Sequence, residues 1–491
     1  MKNGMVMYEK LYQILKKKIE CGILPNGSRL PSRAELSSEL GTSEKTVRRV
    51  VDMLAKEGLV ETKQRQRPLI TFNPAAVRKE RLPALQRVNA IAAGDLLKTG
   101  IFICYPVISY GYSLCTGEEW RILESILNEM NPQYPKEFWR LSNQFWRFFI
   151  CRTENDIIIR TVDGLGIAEL DPLPGTFELR AEYYAGLKKI VSAMKCGGSL
   201  ESIHFADLSG IYGSRTDREQ WVPACRAAID SPFSLGTKEF HRRIGCGEEQ
   251  YSHVYLDILG QIAIGTYRPG DRLPSHDELR RTYGVSVDTT MKAVQVLKDW
   301  GIVTATRGKG IFVAMDLKTM STVYIAPEVI ACHIRRFLDS LQLLSLTVEE
   351  VAAHASMQAT ADEACELRDN IKHLWNHSYL YQFSPAILLE FIASHIKYEA
   401  LQTIYRMILK NYHIGRSIPK LISHERNVYN KAIYSQCVET VRYLADGDTA
   451  RFAEKAAEMF QYTHQLIIAE CKRLGYWDAA AQVYDGSVLW K

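Results

Sequence analysis

A cluster of hydroxyl and basic side chains near the start of the chain has the chemistry to hold a polyanion. Ser43 is followed within six residues by Lys45, Arg48 and Arg49. Hydroxyl, ammonium and guanidinium groups donate hydrogen bonds to phosphate oxygens, and arginine also pairs with the acceptor edge of guanine. The surrounding segment, residues 8–72, contains 13 lysines and arginines against 8 acidic residues, a local net charge of +5. This segment is therefore a candidate nucleic-acid-binding element.

The elements that position these residues occur twice in the sequence. GSRLPSRAEL around Pro31 returns as GDRLPSHDEL around Pro274, 243 positions later. The same offset, without a gap, pairs Tyr12 with Tyr255 and many other identical residues. A weaker similarity links FFICRTENDII, from residue 148, to EFIASHIKYEAL, from residue 390. Self-similarity of this kind indicates an internal duplication.

Each copy begins with two predicted helices. Apolar residues at i, i+3, i+4, i+7 and i+11 from Tyr8, and again from Tyr251, form the stripe of an amphipathic helix. The pattern S-x-x-E at residues 32–35 and 275–278 is a capping box that opens a second helix. Glycines are expected to end these helices, namely Gly22 and Gly41 in the first copy and Gly265 and Gly284 in the second.

A third helix and a hairpin complete each copy. Ser43 and Ser286 are the expected N-caps of the third helix. Its periodicity in the first copy predicts buried Val47, Val50, Val51 and Leu54, and outward-facing Lys45, Arg48, Arg49 and Asp52. Two short helices joined by a tight turn form a helix-turn-helix. In the second copy TRGKGIFV then predicts a hairpin, the wing, with its turn at Gly308 and Gly310.

With caps, turn glycines and wing in this order, both copies closely resemble the winged helix-turn-helix of the GntR family of bacterial transcription regulators. The match covers residues 8–72 and 251–315 through LPS-x-x-EL, G-x-S-x-x-T and the G-[LI]-V exit to the wing. The expected fold is mainly α, with winged helices alternating with all-helical domains. The predicted bounds are 1–75 and 246–315 for the winged helices, and 76–245 and 316–491 for the helical domains.

The resemblance implies a transcription regulator, either a repressor or an activator, that binds a double-stranded DNA operator and responds to a small-molecule effector. Members of the family usually carry one DNA-binding domain per chain and bind as homodimers. Two unlike copies on one chain predict an intramolecular pseudo-dimer and an asymmetric operator, whereas a homodimer of the chain would favour a palindrome. No cofactor is expected.

By the same resemblance, DNA contacts are expected from the start of the second helix, from the third or recognition helix, and from the wing. The first copy offers Ser32, Arg33, Thr42, Ser43, Lys45, Thr46, Arg48, Arg49, Arg65 and Arg67. The second copy offers Ser275, His276, Ser286, Thr289, Lys292, Arg307 and Lys309. The second copy has Met291 in the place of Arg48, and residues 251–313 hold 8 basic against 6 acidic residues, a net +2. We therefore expect its recognition helix to hold phosphates less well, while its glycine-basic wing is closer to the family's pattern.

The end of the chain suggests where an effector binds. ADGDTARFAEKAAEMFQYTHQ resembles the last helices of the FCD (FadR C-terminal-like) domain, a helical bundle that in relatives binds small metabolites, often carboxylates and sometimes through a metal. The resemblance is weak for residues 76–240. Candidate effector contacts are His395, Arg406, His413, Arg416 and His424. Solvated helix faces explain these side chains equally well.

The metal-dependent form of that domain needs one carboxylate and three histidines. Asp369 and His373 have the spacing of the first two ligands. The expected late histidine positions fall near Cys437 and Met459, and His464 lies more than a turn too far along the chain. The sequence therefore predicts a metal-free pocket with apolar walls and a few polar anchors.

Other functional classes are disfavoured by the composition and by missing motifs. Eleven cysteines without a C-x-x-C pair argue against a disulfide framework or a zinc ribbon. No Walker loop, GxSxG elbow, HExxH or well-placed GxGxxG is present, so no enzyme is expected. Without an apolar signal segment or a long apolar run, a cytoplasmic protein with no membrane partner is expected. The competing interpretation is a ligand sensor or protein-interaction adaptor whose winged helices no longer read DNA.

Overall fold

The structure of the chain is a computed structural model, in which residues group into two compact units. One unit comprises residues 6–245 and 398–404, and the other comprises 246–397 and 405–484. The residues that the structure describes are 8, 11–12, 15–16, 19, 27–39, 43–63, 66–71, 90–166, 177–196, 234–244, 250–263, 266–306, 308–315, 327–375, 383–416, 418, 421 and 427–484. The predicted helix ends at Gly22, Gly41 and Gly265 lie outside this set.

The first winged helix has a continuous apolar core. Its elements after the opening helical residues are α1 (Arg33–Glu39), α2 (Glu44–Lys56), β1 (Val60–Glu61) and β2 (Leu69–Ile70). The strands pair antiparallel, with Val60 opposite Ile70. The predicted burial of one face of α2 is confirmed, since the residues without exposed surface are Val47, Val50, Val51 and Leu54. They pack with four residues of the opening helix, Leu11, Tyr12, Leu15 and Ile19.

A helical region follows in the same unit. It consists of β3 (Ala90–Ala92), α3 (Ala93–Ser113), α4 (Trp120–Glu129), α5 (Pro135–Arg152), α6 (Asp156–Gly164), α7 (Phe177–Lys195), β4 (Ser234–Gly236) and α8 (Thr237–Ile244). Helices α3 and α5 cross closely at Gly111, where an added Cβ would overlap the backbone carbonyl of Phe149. Buried Tyr183 of α7 ties the helices together, since its hydroxyl accepts from Trp146 Nε1 at 2.7 Å.

The second winged helix repeats the first with a longer wing. Its elements are α9 (Gln250–Ala263), α10 (His276–Tyr283), α11 (Val287–Asp299), β5 (Val303–Thr306) and β6 (Gly310–Val313). Gly284 ends α10 as predicted, at a left-handed φ of 65°. Strands β5 and β6 pair antiparallel from Val303–Val313 to Thr306–Gly310, which confirms the predicted hairpin.

The described residues of the second helical region form seven helices. They are α12 (Pro327–Ser356), α13 (Ala361–Leu374), α14 (Ser384–Ser394), α15 (Glu399–Arg416), α16 (Val428–Ala445), α17 (Thr449–Arg473) and α18 (Tyr476–Tyr484). The long helix α12 packs against α17 and α18, and α16 packs against α13 and α17. The two weakly similar sequence segments each span a helix-to-helix corner, between α5 and α6 near residue 153 and between α14 and α15 near residue 396.

The expected mainly α fold is confirmed. Within the described ranges the sheets are three two-stranded antiparallel pairs, and the remaining regular structure is helical. No helix in those ranges is long and apolar enough to cross a bilayer. The four predicted domain bounds stay predictions, since the contacts divide the chain into two units rather than four.

Candidate nucleic-acid interface

The recognition helix of the first winged helix, α2, presents its amino-terminal turns to solvent. Ser43 caps the helix by accepting a hydrogen bond from the amide of Thr46 at 3.2 Å, as predicted. Lys45, Arg48 and Arg49 are exposed on the face opposite the buried valines. Backbone amides and cations at the start of a helix are suited to phosphate, and the side chains that follow reach base edges in the major groove.

The two adjacent arginines of α2 have different surroundings. The guanidinium of Arg49 lies 3.6 Å from the centre of the Tyr8 ring, a cation–π contact that fixes its position against the opening helix. Arg48 has no hydrogen-bond or ion-pair partner among the described residues. Arg48 is therefore the arginine of this pair that is available for a bidentate base contact, while Arg49 is oriented by Tyr8.

The first wing is partly neutralised by the start of α1. Arg67 forms an ion pair with Glu35 at 3.1 Å. Glu35 also accepts from the Ser32 amide at 2.6 Å, and that bond, more than Arg67, holds the pKa of its carboxyl below the ordinary value. Arg33, the first residue of α1, is exposed. Arg67 thus has a protein partner to give up before it contacts DNA, and the predicted contacts Thr42 and Arg65 lie outside the described residues.

The second recognition helix, α11, has the same type of N-cap as α2 but different exposed side chains. Ser286 accepts from the amide of Thr289 at 3.2 Å. The exposed side chains of the first two turns include Asp288 and Lys292, and two apolar ones, Val287 at 38% and Met291 at 53% exposure. This face offers one cation where α2 offers three.

His276 holds the second helix-turn-helix together. Its Nδ1 lies 3.0 Å from the hydroxyl oxygen of Thr290, which is fully buried on α11. The side chain therefore joins α10 to α11, whereas Arg33 at the equivalent place in the first copy is exposed. The predicted contact from Ser275 is likewise engaged locally, since it forms a complete capping box with Glu278.

The second wing exposes a cation at its tip. Lys309 lies between Gly308 and Gly310, whose φ values of 79° and 117° lie in the region that favours glycine. A Cβ on Gly310 would lie 2.7 Å from Nε of Arg272, so this glycine also makes room for the arginine beside the wing. Arg307 lies outside the described residues.

Sequence reasoning assigned no role to Arg29 and Arg272, which the structure places beside the wings. Both are exposed, and each lies in an isolated antiparallel bridge to the second wing strand, Arg29 to Leu69 and Arg272 to Phe312. Their identity at the 243-residue offset was the available signal. Each winged helix therefore carries an additional cation next to its wing.

The effector candidates that the structure describes lie on α15 and at the end of α14. Arg406 and His413 are exposed on α15, seven residues apart. His395 ends α14, with its Nδ1 2.8 Å from the Phe391 carbonyl oxygen and its Nε2 3.5 Å from Glu363. The Arg416 side chain and His424 lie outside the described residues.

The residues considered as metal ligands differ in their exposure to solvent. Asp369 and His373 are exposed on α13, and Asp369 pairs with Arg368 at 2.9 Å. Cys437 and Met459 are fully buried on α16 and α17. Burial lowers the pKa of His464 to about 4, so this side chain is neutral at physiological pH. No cluster of three or more His, Cys, Asp or Glu able to hold a metal occurs in the described ranges.

Both winged helix-turn-helix domains have capped, solvent-facing recognition helices. Residues 7–70 and 250–313 each match the family described as bacterial regulatory proteins, gntR family. Both winged helices are thus gntR-family domains, and the predicted duplication of this domain is confirmed.

Individual relatives match over part of their length. The Histidine utilization repressor of Klebsiella aerogenes is 33% identical over 109 residues, which cover 21% of this chain and 45% of the relative. The Uxu operon transcriptional regulator of Escherichia coli (strain K12) is 26% identical over 125 residues, 26% of this chain and 48% of the relative. Among solved structures, Streptococcus agalactiae GntR is 15% identical with a TM-score of 0.22, over 44% of this chain and 99% of that one. The chain thus spans less than half the length of these two curated relatives.

Proposed function

We propose that this protein is a sequence-specific DNA-binding transcription regulator whose two winged helices read one operator. The observation that carries the proposal is the pair of capped recognition helices, each with exposed polar or cationic side chains in its first turns. The names of the gntR-domain relatives, a repressor and an operon regulator, support regulation of transcription as the outcome. Such a protein acts in the compartment that holds the chromosome, which supports a cytoplasmic location.

The two winged helices act as an intramolecular pseudo-dimer. Once one of them is bound, the linked partner is held at a high effective concentration near the neighbouring DNA. Because the two recognition helices differ in sequence, the bound site has no need for two-fold symmetry. A single chain is then sufficient for one operator.

Selection of genomic DNA fragments with the purified full chain tests the proposal. We expect an enriched site bound at least about a thousandfold more tightly than random duplex at physiological salt. Random duplex should also bind weakly, with an affinity that falls as salt rises, because phosphate contacts release counterions. Arg48→Ala should weaken the selected site, while Arg473→Ala, which removes an exposed cation at the end of α17, serves as the control. Absence of any salt-dependent DNA binding would instead support the adaptor interpretation.

We also propose that a small molecule bound in the second helical region modulates DNA binding. The support is a chain of ring contacts. Trp300, the C-cap of the recognition helix α11, packs edge-on against Tyr255 at 5.2 Å, and Tyr255 packs against His333 of α12 at 6.2 Å. These contacts offer a route by which a shift of α12 on ligand binding would reach α11. A panel of small carboxylic acids should include one that changes operator affinity, and Trp300→Ala should reduce that change. If the ligand changes the operator affinity of Trp300→Ala as much as that of the wild type, effector control does not depend on this contact.

A further inference from the structure

The second recognition helix carries two exposed apolar side chains where DNA contacts are expected. Val287 is the first residue of α11 and Met291 lies four residues on, so that both occupy one side of its first turns. They occupy the places of Glu44 and Arg48 in the first copy. Val287, at 38% exposure, borders the buried face, since the buried Val294 lies seven residues on, whereas Met291 is 53% exposed. Packing within the domain therefore does not account for Met291.

The surroundings of this pair favour DNA as its partner over another protein. The exposed neighbours Asp288 and Lys292 interrupt the apolar surface, which is two side chains wide. Apolar patches that bind proteins usually extend over several hundred Å². The exposed cations of this domain include Lys292, the residue after Met291, and Lys309 at the wing tip, and both suit a polyanion.

Apolar side chains have one partner in the major groove, the C5-methyl group of thymine. Arginine at the same place would pair with guanine, whose edge presents two acceptors. Resting on the proposed function, we infer that Met291, supported by Val287, reads a thymine methyl, so that the two winged helices read different bases from the same helical position. The first half of the operator then has guanine opposite Arg48, and the second has thymine opposite Met291.

Replacing thymine by uracil tests this inference, because uracil lacks only the methyl group. Each thymine of the selected operator is replaced singly, and the affinity of the full chain is measured for every duplex. We expect at least one position where the wild type loses about fourfold, the value of one buried methyl. With Met291→Ala the same replacement should have no effect, whereas with Arg48→Ala the fourfold loss should persist. Agreement of all three would show that methyl and Met291 act together.

A change of specificity provides the second test. Met291→Arg puts the side chain of the first copy into the second, on an exposed position where folding is unaffected. We expect the preference at the contacted base pair to change from thymine to guanine, and Arg48→Met to change the first half in the opposite direction. Unchanged preferences, or a thymine scan without any Met291-dependent position on a site that still binds specifically, would overturn the inference and leave the proposed function standing.

Two other results of these experiments would each have a distinct meaning. Failure of the full chain to bind any DNA specifically would overturn the proposed function itself. A mass measurement of the free protein showing an assembly that Met291→Ala dissociates would assign this face to protein docking, and would contradict the thymine contact.

Discussion

Tyr12 and Tyr255 occupy the same position in the two winged helices, 243 residues apart, and they meet different partners. The hydroxyl of Tyr12 donates to Glu57, which also pairs with Lys16 at 2.7 Å. Burial, together with the bond to Glu57, raises the pKa of Tyr12 to about 12. In the second copy the position of Glu57 is taken by Trp300, and Tyr255 is packed between rings.

The two tyrosines connect their domains differently. In the first winged helix the hydroxyl of Tyr12 bonds to a polar residue of the same domain, and the recognition helix exposes three cations. The second closes its core with aromatic rings that continue to His333 of α12. We therefore propose that the first winged helix supplies most of the DNA affinity and that the second connects base recognition with the helical region.

The largest expected effect comes from removing Tyr255. Because this ring is fully buried, Tyr255→Ala should lower the free energy of unfolding of the second winged helix by about 3–5 kcal/mol. Amide hydrogen exchange should become faster in α11 and in the first turns of α12. Tyr12→Ala is the matched control, with faster exchange expected in α2. Unchanged amide exchange in α12 of the Tyr255→Ala variant would contradict the proposed connection between Tyr255 and α12.

The next effect concerns the two recognition helices. Arg48→Ala should weaken operator binding by about 1–3 kcal/mol, since it removes a bidentate base contact. Met291→Ala should cost less than about 1 kcal/mol, because one apolar contact is lost. Titration of labelled operator with each folded variant measures both. Equal, small losses would contradict the difference drawn between the two helices.

The smallest effect is common to both copies and depends on pH. Amide hydrogen bonds from Ser32 and Ser275 lower the pKa of Glu35 and Glu278 below the ordinary value of 4.5. Their ionised carboxylates therefore stabilise the fold above about pH 4.5, and this contribution is lost as the pH falls through the lowered values.

Glu35→Gln and Glu278→Gln test this pH dependence. Both variants should be less stable than the wild type near pH 7, and the gap should close towards pH 3. Thermal unfolding across this range measures it, with Glu454→Gln on α17 as the control. A gap that is constant with pH would show that ionisation of the capping acid is not involved.

Features set by neighbouring residues could be predicted from the sequence. The caps at Ser43 and Ser286, the capping box at Ser275, and the wing glycines depend on residues within a few positions of each other. The buried face of α2 follows from its periodicity. These local signals also carried the family resemblance.

Contacts between distant residues could not be predicted. Arg49 and Tyr8 are 41 residues apart in the sequence, and their stacking depends on how α2 packs against the opening helix. The hydrogen bond between His276 and Thr290 likewise depends on how α10 packs against α11. The face of Met291 became visible only once burial showed that the core does not use it.

The composition and symmetry of the DNA complex test the central claim most directly. Footprinting of the selected operator, together with the mass of the complex, should show one chain on a site with two unlike halves. In the same experiment Arg48→Ala should reduce the protection of one half of the site more than that of the other half. A strictly palindromic site bound by two chains would contradict the account of two unlike winged helices that act together on one operator.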